Sequence, residues 1–413
     1  MRRLRVLGGL VAALALGACQ ENLSAPGECP ALCPGEQIIV RDTTILPILG
    51  GDSTFFGYLA RSSRTVLLVS NGLPAGEYRS FVVFPAQRTD SVAVDGVSQA
   101  YTVDTVSISF NLQARDTTAK GLTVYLHRIP ITTDTTITYP VLAALLDTAE
   151  VLDSIQVADT VKSGRIEALF VGDELTKFAG PAADSGKFAV GLTVRADKPT
   201  GVRLSVDAAG STLAPLFENR GRAPAVTDTA KRRQVVQVRP TDVAKYGYVG
   251  NRDLSQTANP DLLYLGGPGA ARALLRFALP TDLKDSAQIL RATLELTPAI
   301  SLDGLPSSPS GDSVAVRGVV VDLGAKSPPL LTGGLQSWGL LKQGTTDLVT
   351  IDLLLLATQW QIKDGPPATV FLALTDEVIG GGFMQPVFYS TRSATGQPRL
   401  RVTYGLPTRP GRP

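Results

Sequence analysis

The chain has one histidine, three cysteines, two tryptophans and an aromatic content of only 6% in 413 residues. His127 is therefore the single imidazole available, and it lies far from the cysteines, so no zinc site can be assembled from the usual nitrogen and sulfur ligands. A Ser/His/Asp triad would have to use His127 as well. It sits in the alternating stretch 122–128 and shares a face with Thr123 and Tyr125, which reads as a sheet-surface residue rather than a general base. Strong charge of one sign is absent: the net charge is +2, with acids and bases spread along the chain, and nucleic-acid binding is excluded on that ground. After the first twenty residues no apolar run is long enough to cross a bilayer as a helix. Helical periodicity is scarce; residues 173–178 and 355–362 are the clearest short helices.

What is present begins at the N-terminus. Arg2, Arg3 and Arg5 precede a short apolar run at 6–16, followed by Leu16-Gly17-Ala18-Cys19. A spanning helix needs roughly 20 apolar residues, so a cleaved signal is the better reading. The order Leu-Gly-Ala-Cys resembles the lipobox of bacterial lipoproteins. That resemblance implies cleavage of residues 1–18, a covalent lipid on Cys19, and a permanent membrane anchor, because several acyl chains bind far more stably than one. Gln20, where an Asp would retain the protein at the inner membrane, implies the outer membrane. The alternative is an ordinary secreted protein with a cysteine there by chance. Residues 19–36, with Pro26, Pro30 and Pro34, read as a tether. In an exported chain Cys29 and Cys33 either pair as a disulfide or remain two free thiols in that tether; both readings stand.

From residue 37 onward the dominant signal is period two. Val106, Ile108, Phe110 and Leu112 alternate with polar residues, as do Leu290, Ala292, Leu294 and Leu296, and Leu400, Val402 and Tyr404. Such strands bury one face and wet the other, the behaviour of antiparallel sheets in a sandwich. The pattern also repeats. Residues 79–84 are similar to 272–277, each after a short apolar strand and a Gly/Pro turn (66–69 and 262–265). The strands at Val106 and Leu290 follow, then Ile166 and Ile351, a short helix, Phe188 and Phe371, and a closing strand at Val202 or Leu400. A shared order of strand, turn and helix is harder to obtain by chance than any single match. The expectation is all-β: tandem jelly-roll-like sandwiches at 37–211 and 235–404, a linker at 212–234 containing Lys231-Arg232-Arg233, and a flexible tail at 405–413.

The second half resembles the DNRLRE-type domains of secreted bacterial proteins, which are jelly rolls related to carbohydrate-binding modules. The resemblance rests on residues 263–267, 272–277, 292–296, 350–352 with Gln359-Trp360, and 396–400, all in 235–404. It implies polysaccharide as a ligand, and a sugar ring requires an exposed aromatic platform with polar flanks. Tyr246 and Tyr248 with Asn251 and Arg252 nearby, and Trp338 in a Gly-flanked stretch, are the candidates; the alternative is that these aromatics are core. Trp360 ends an apolar stretch and is assigned to the core. Asp134, Asp147 and Asp153 offer oxygen ligands of the kind calcium takes, without EF-hand spacing. No acid pair is singled out for glycoside hydrolysis and no cofactor is implied. The expected role is non-catalytic: an envelope protein binding or presenting polysaccharide, or one making structural contacts with other envelope proteins.

Overall fold

The computed structural model describes residues 38–58, 64–73, 76–86, 90–178, 186–206, 213–251, 259–267, 270–285, 287–301, 312–330, 335–342, 345–375 and 382–407. Cys19, Cys29, Cys33 and Arg252 lie outside the described residues. Every strand pairing among the described residues is antiparallel, so the all-β expectation holds.

Four sheets carry the architecture. Sheet I runs Ile38–Ile45, Arg399–Pro407, Gln288–Leu296, Val349–Asp352. Sheet II runs Ser53–Phe55, Arg272–Arg276, Thr369–Leu374, Asp312–Gly318, Gln336–Leu341. Their inward side chains, including Ala292, Leu294 and Val402 from sheet I and Leu275, Val316 and Leu372 from sheet II, form one apolar cluster that also contains Trp360. Sheet III runs Arg233–Val238, Leu216–Arg222, Thr102–Arg115, Thr200–Ser205, Val66–Asn71, with Gly164–Val171 also paired to Thr102–Arg115. Sheet IV runs Tyr246–Gly250, Tyr78–Phe84, Phe188–Arg195, Thr123–Arg128, Val151–Gln156. Ile108 and Phe110 from sheet III meet Val82, Leu126 and Val190 from sheet IV in a second cluster.

The repeat in the sequence is a repeat in pairing. Tyr78–Phe84, Phe188–Arg195, Thr123–Arg128 and Val151–Gln156 are neighbours in the same order as Arg272–Arg276, Thr369–Leu374, Asp312–Gly318 and Gln336–Leu341. One expected equivalence fails. Val66–Asn71 lies beside Thr200–Ser205, but the corresponding place beside Arg399–Pro407 is taken by Ile38–Ile45, while Leu262–Tyr264 pairs with Val387–Tyr389.

That substitution corrects the expected boundaries. The segment 38–55 belongs to sheets I and II, so the strands from Val66 to Gly250 are inserted into the second sheet pair rather than placed before it. Residues 212–234 are not a linker either: Leu216–Arg222 and the start of Arg233–Val238 are strands of sheet III. The last strand continues to Pro407, so the tail is shorter than 405–413.

The inserted strands share apolar surface with their host. Along Val66–Asn71, Leu67 and Val69 face the core of sheets III and IV, whereas Val66 and Leu68 join the cluster of sheets I and II. This is the period-two geometry of a strand enclosed on both sides. Tyr78 completes the contact, its ring 5.5 Å from that of Phe383. Deleting residues 38–45 removes the strand that covers the edge of Arg399–Pro407 and withdraws the buried Ile45. Urea unfolding of the deletion variant is expected to show a loss of about 2 kcal/mol or more; an unchanged midpoint would contradict the role given to this strand.

Candidate ligand-binding face

The candidates Tyr246 and Tyr248 are not a platform. Their strand is the edge of sheet IV, paired to Tyr78–Phe84, and both rings point inward. Tyr246 is 9% exposed and joins the core of sheets III and IV; Tyr248 is 2% exposed, 6.2 Å from the Tyr78 ring, in the contact between the two sheet pairs. Arg64 lies over the Tyr248 ring at 4.1 Å, and burial pushes its phenol up to about 12. Asn251 brackets the chain: its N–H donates to Glu77 O (3.0 Å) and its Oδ1 accepts from Glu77 N–H (2.9 Å). Neither tyrosine offers a ring face to a ligand.

Trp338 does. It is 56% exposed on the outer face of sheet II, in the edge strand Gln336–Leu341. Its neighbour Gly339 explains the presentation. A Cβ there would lie 2.5 Å from Ile351 Cγ1 and 2.7 Å from Val349 Cγ1, so only glycine lets the edge strand close onto sheet I and turn Trp338 outward. Trp338 is register partner to Ala315, and Ala315 to Ala373, so two methyl groups form a low floor beside the indole. Arg272, Arg317, Gln336, Phe371 and Pro329 complete a groove of about 250 Å³ with that floor. Among the described residues no carboxylate lines it. Arg272 lies 4.2 Å over the Tyr58 ring and 5.3 Å over Phe371, which fixes its guanidinium at the groove wall. Arg317 has no ion-pair or hydrogen-bond partner among the described residues, whereas Arg276 on the same sheet is held by Asp322, whose carboxyl that bond lowers below the usual range.

The internal repeat supplies a comparison. Aligning residues 79–84 with 272–277 and following the registers places His127 where Arg317 stands, Gly191 where Phe371 stands, and Ser154 where Trp338 stands. In sheet IV the Gly191 part of this face is covered, while Tyr125 is half-buried and Ser154 exposed. The helix Tyr139–Thr148, which the sequence reading missed, packs Leu142 and Leu146 against Phe81, Val83 and Ala189. Leu146 sits directly on Gly191, where a side chain would collide with it. In sheet II the connection after Asp312–Gly318 has no such helix among the described residues, and the groove stays open.

His127 is buried and its Nε2 is 2.9 Å from Thr193 Oγ1, with no carboxylate bonded to it. Of the aspartates that offer oxygens of the kind calcium takes, Asp134 Oδ1 accepts from Thr136 N–H (2.8 Å) in a turn and Asp153 Oδ1 from Ser154 N–H (2.7 Å) within the strand Val151–Gln156. Among the described residues no three His, Cys, Asp or Glu side chains gather as a metal site, and no helix is long and apolar enough to cross a membrane.

No protein-family model matches the chain, and no curated protein matches it. A solved chain labelled "BspA_C_WT" is 7% identical, covering 83% of this chain and 90% of that chain with a TM-score of 0.17. Likeness at that level carries no argument about fold or function.

Two outcomes follow from this geometry. Gly339→Ala is expected to lower stability by about 1–3 kcal/mol through overpacking against Ile351 and Val349, read by thermal unfolding; no loss would contradict the close approach. Burial lowers the His127 pKa below its ordinary value. The unfolded chain then binds the proton first, so stability is complete above the unfolded pKa of about 6.5 and falls as pH drops below it. With a single histidine in the chain, His127→Gln should flatten the decline of the urea midpoint between pH 7.5 and 5.5; an unchanged slope would assign that decline elsewhere.

Proposed function

We propose that the protein is a non-catalytic, lipid-anchored envelope protein that binds polysaccharide through the outer face of sheet II. In this reading each sheet pair is a jelly-roll-like sandwich, and Cys19 carries the lipid that anchors the chain at the outer membrane through the tether. The observation that carries the binding assignment is the exposed Trp338 beside a groove with guanidiniums and amide donors and, among the described residues, no carboxylate. An indole presents a flat apolar surface to the C–H face of a sugar ring, while Arg317, Arg272 and Gln336 supply donors to its oxygens. Arg317, with no acidic partner among the described residues, favours carboxylated sugars over neutral ones. The open face on one sheet pair and the helix-covered Gly191 position on the other support assigning the binding to the second pair.

A second reading, a structural or assembly lipoprotein, is favoured by a different observation. Leu46, Ile48 and Leu49 are exposed in one loop, Val320, Val321 and Leu323 in another, and Arg276 bonds both loops through Gly51 O and Asp322. Exposed apolar groups gathered in this way suit contact with another protein.

Titration of the chain against neutral and carboxylated polysaccharides tests the choice. Trp338→Ala is expected to weaken binding about tenfold or more, an effect of about 1.4 kcal/mol or more, and Arg317→Gln to weaken carboxylated members selectively. Tyr125→Ala, on the covered sheet, should leave affinity unchanged. Binding to no polysaccharide, or equal affinity in Trp338→Ala, would sink the proposal and leave the apolar loops as the next surface to probe by crosslinking.

A further inference from the structure

The hairpin of sheet III formed by Leu216–Arg222 and Arg233–Val238 places two arginines directly opposite each other, Arg222 against Arg233. Ala223 N–H donates to Arg232 O (2.9 Å), so the next pair along is of the non-hydrogen-bonded kind, in which facing side chains lie closest. Like charges at such positions repel and destabilise the pairing. The surroundings offset only part of that charge. Asp104 Oδ2 is 2.9 Å from Arg222 Nε. Arg220 is bonded to Glu218, whose carboxylate also accepts from Gln237, so that acid is already used. Arg233 is exposed and has no ion-pair or hydrogen-bond partner among the described residues. These side chains line one open groove of about 740 Å³. The adjoining turn adds Lys231, which pairs with Asp95, and Arg232. The basic run at 231–233 is thus fixed against a second strand that carries its own arginines.

We propose that Arg222 and Arg233 form a binding site for a phosphate group, whose oxygens bridge the two guanidiniums. Guanidinium forks match the oxygens of a tetrahedral anion, and a phosphate between them converts the cross-strand repulsion into two charge-assisted contacts. The site lies on the inserted sheet pair, so it is independent of the groove beside Trp338. The same phosphate chemistry is offered by a free anion and by a lipid headgroup.

The test is calorimetric titration of the full chain with inorganic pyrophosphate at low ionic strength, paired with sedimentation on phosphatidylglycerol or phosphatidylcholine vesicles. Wild type should bind saturably, and Arg233→Gln should weaken binding about tenfold. Arg165→Gln, which removes an exposed arginine paired with Glu167 on another strand, should have no effect. Without anion, Arg233→Gln should unfold at the same or a higher temperature than wild type, because a repulsion has been removed. Binding of pyrophosphate identifies a free phosphate as sufficient; binding confined to phosphatidylglycerol vesicles identifies the headgroup. Binding of neither, equal binding of galacturonate, or a lowered unfolding temperature in anion-free Arg233→Gln would overturn the proposal.

Discussion

The structure depends on the ladder between Ile38–Ile45 and Arg399–Pro407. Eight residue pairs, from Ile38 opposite Pro407 to Ile45 opposite Leu400, join the beginning of the described chain to its end. An edge strand left open would expose a row of unpaired backbone groups, and the buried faces of Leu400, Val402 and Tyr404 would lose their neighbour. Everything between the two strands must therefore fold within that closure. The inserted sheets meet their host through Val66, Leu68, Tyr78 and Tyr248, which occupy the same apolar cluster as the host core. The ladder also sets Ile38, the first described residue, opposite Pro407, the last.

Within the second sheet pair, the period of two along a strand separates structure from surface chemistry. Val314, Val316, Leu372 and Leu275 point inward and supply the core; Ala315, Arg317, Ala373 and Arg272 alternate with them and supply the groove. Two small residues at neighbouring register positions keep the floor low, and Gly339 permits the close strand approach that leaves Trp338 exposed. The inserted pair uses the same register for the opposite end. Gly191 in place of Phe371 admits Leu146, and the helix it belongs to covers the face. One topology thus gives an open face and a closed one, decided by side-chain size at a single register position and by the connection that follows.

Much of this was legible from residues alone, because it rests on local periodicity. The alternation at Val106, Ile108, Phe110 and Leu112 and the burial of Trp360 needed no knowledge of partners, and the repeated order of strands became the repeated order of pairing. The failures have physical causes. Ile38–Ile45 lies in a run of mixed pattern whose partner is more than 350 residues away, so nothing local marks it as part of the second pair. Leu290 was expected inside, but the register shifts between Ile289 and Arg291, a bulge that buries Ile289 and exposes Leu290. Ser107 and Ser109 are buried along with their apolar neighbours, since residues 106–110 of this strand are buried on both faces. Of the two readings open for the Tyr246 and Tyr248 rings the core one holds; an aromatic in a Gly-spaced edge strand carries no sign of which side is covered, so residues alone did not decide between them. Trp338 was identified by the same reasoning, while Arg317 and Arg272 were not, because their convergence is made by register between strands distant in sequence.

Two tryptophans make the central claim directly measurable: Trp338 is exposed and Trp360 is 5% exposed in the core. In a Trp360→Phe variant that retains its fold, the remaining emission reports on Trp338 alone. A bound polysaccharide is expected to shift this emission to shorter wavelength and to protect it from a soluble quencher, in a saturable manner. Saturable binding with no change in the emission or quenching of Trp338 would contradict the assignment of the sheet II face as the ligand-binding surface.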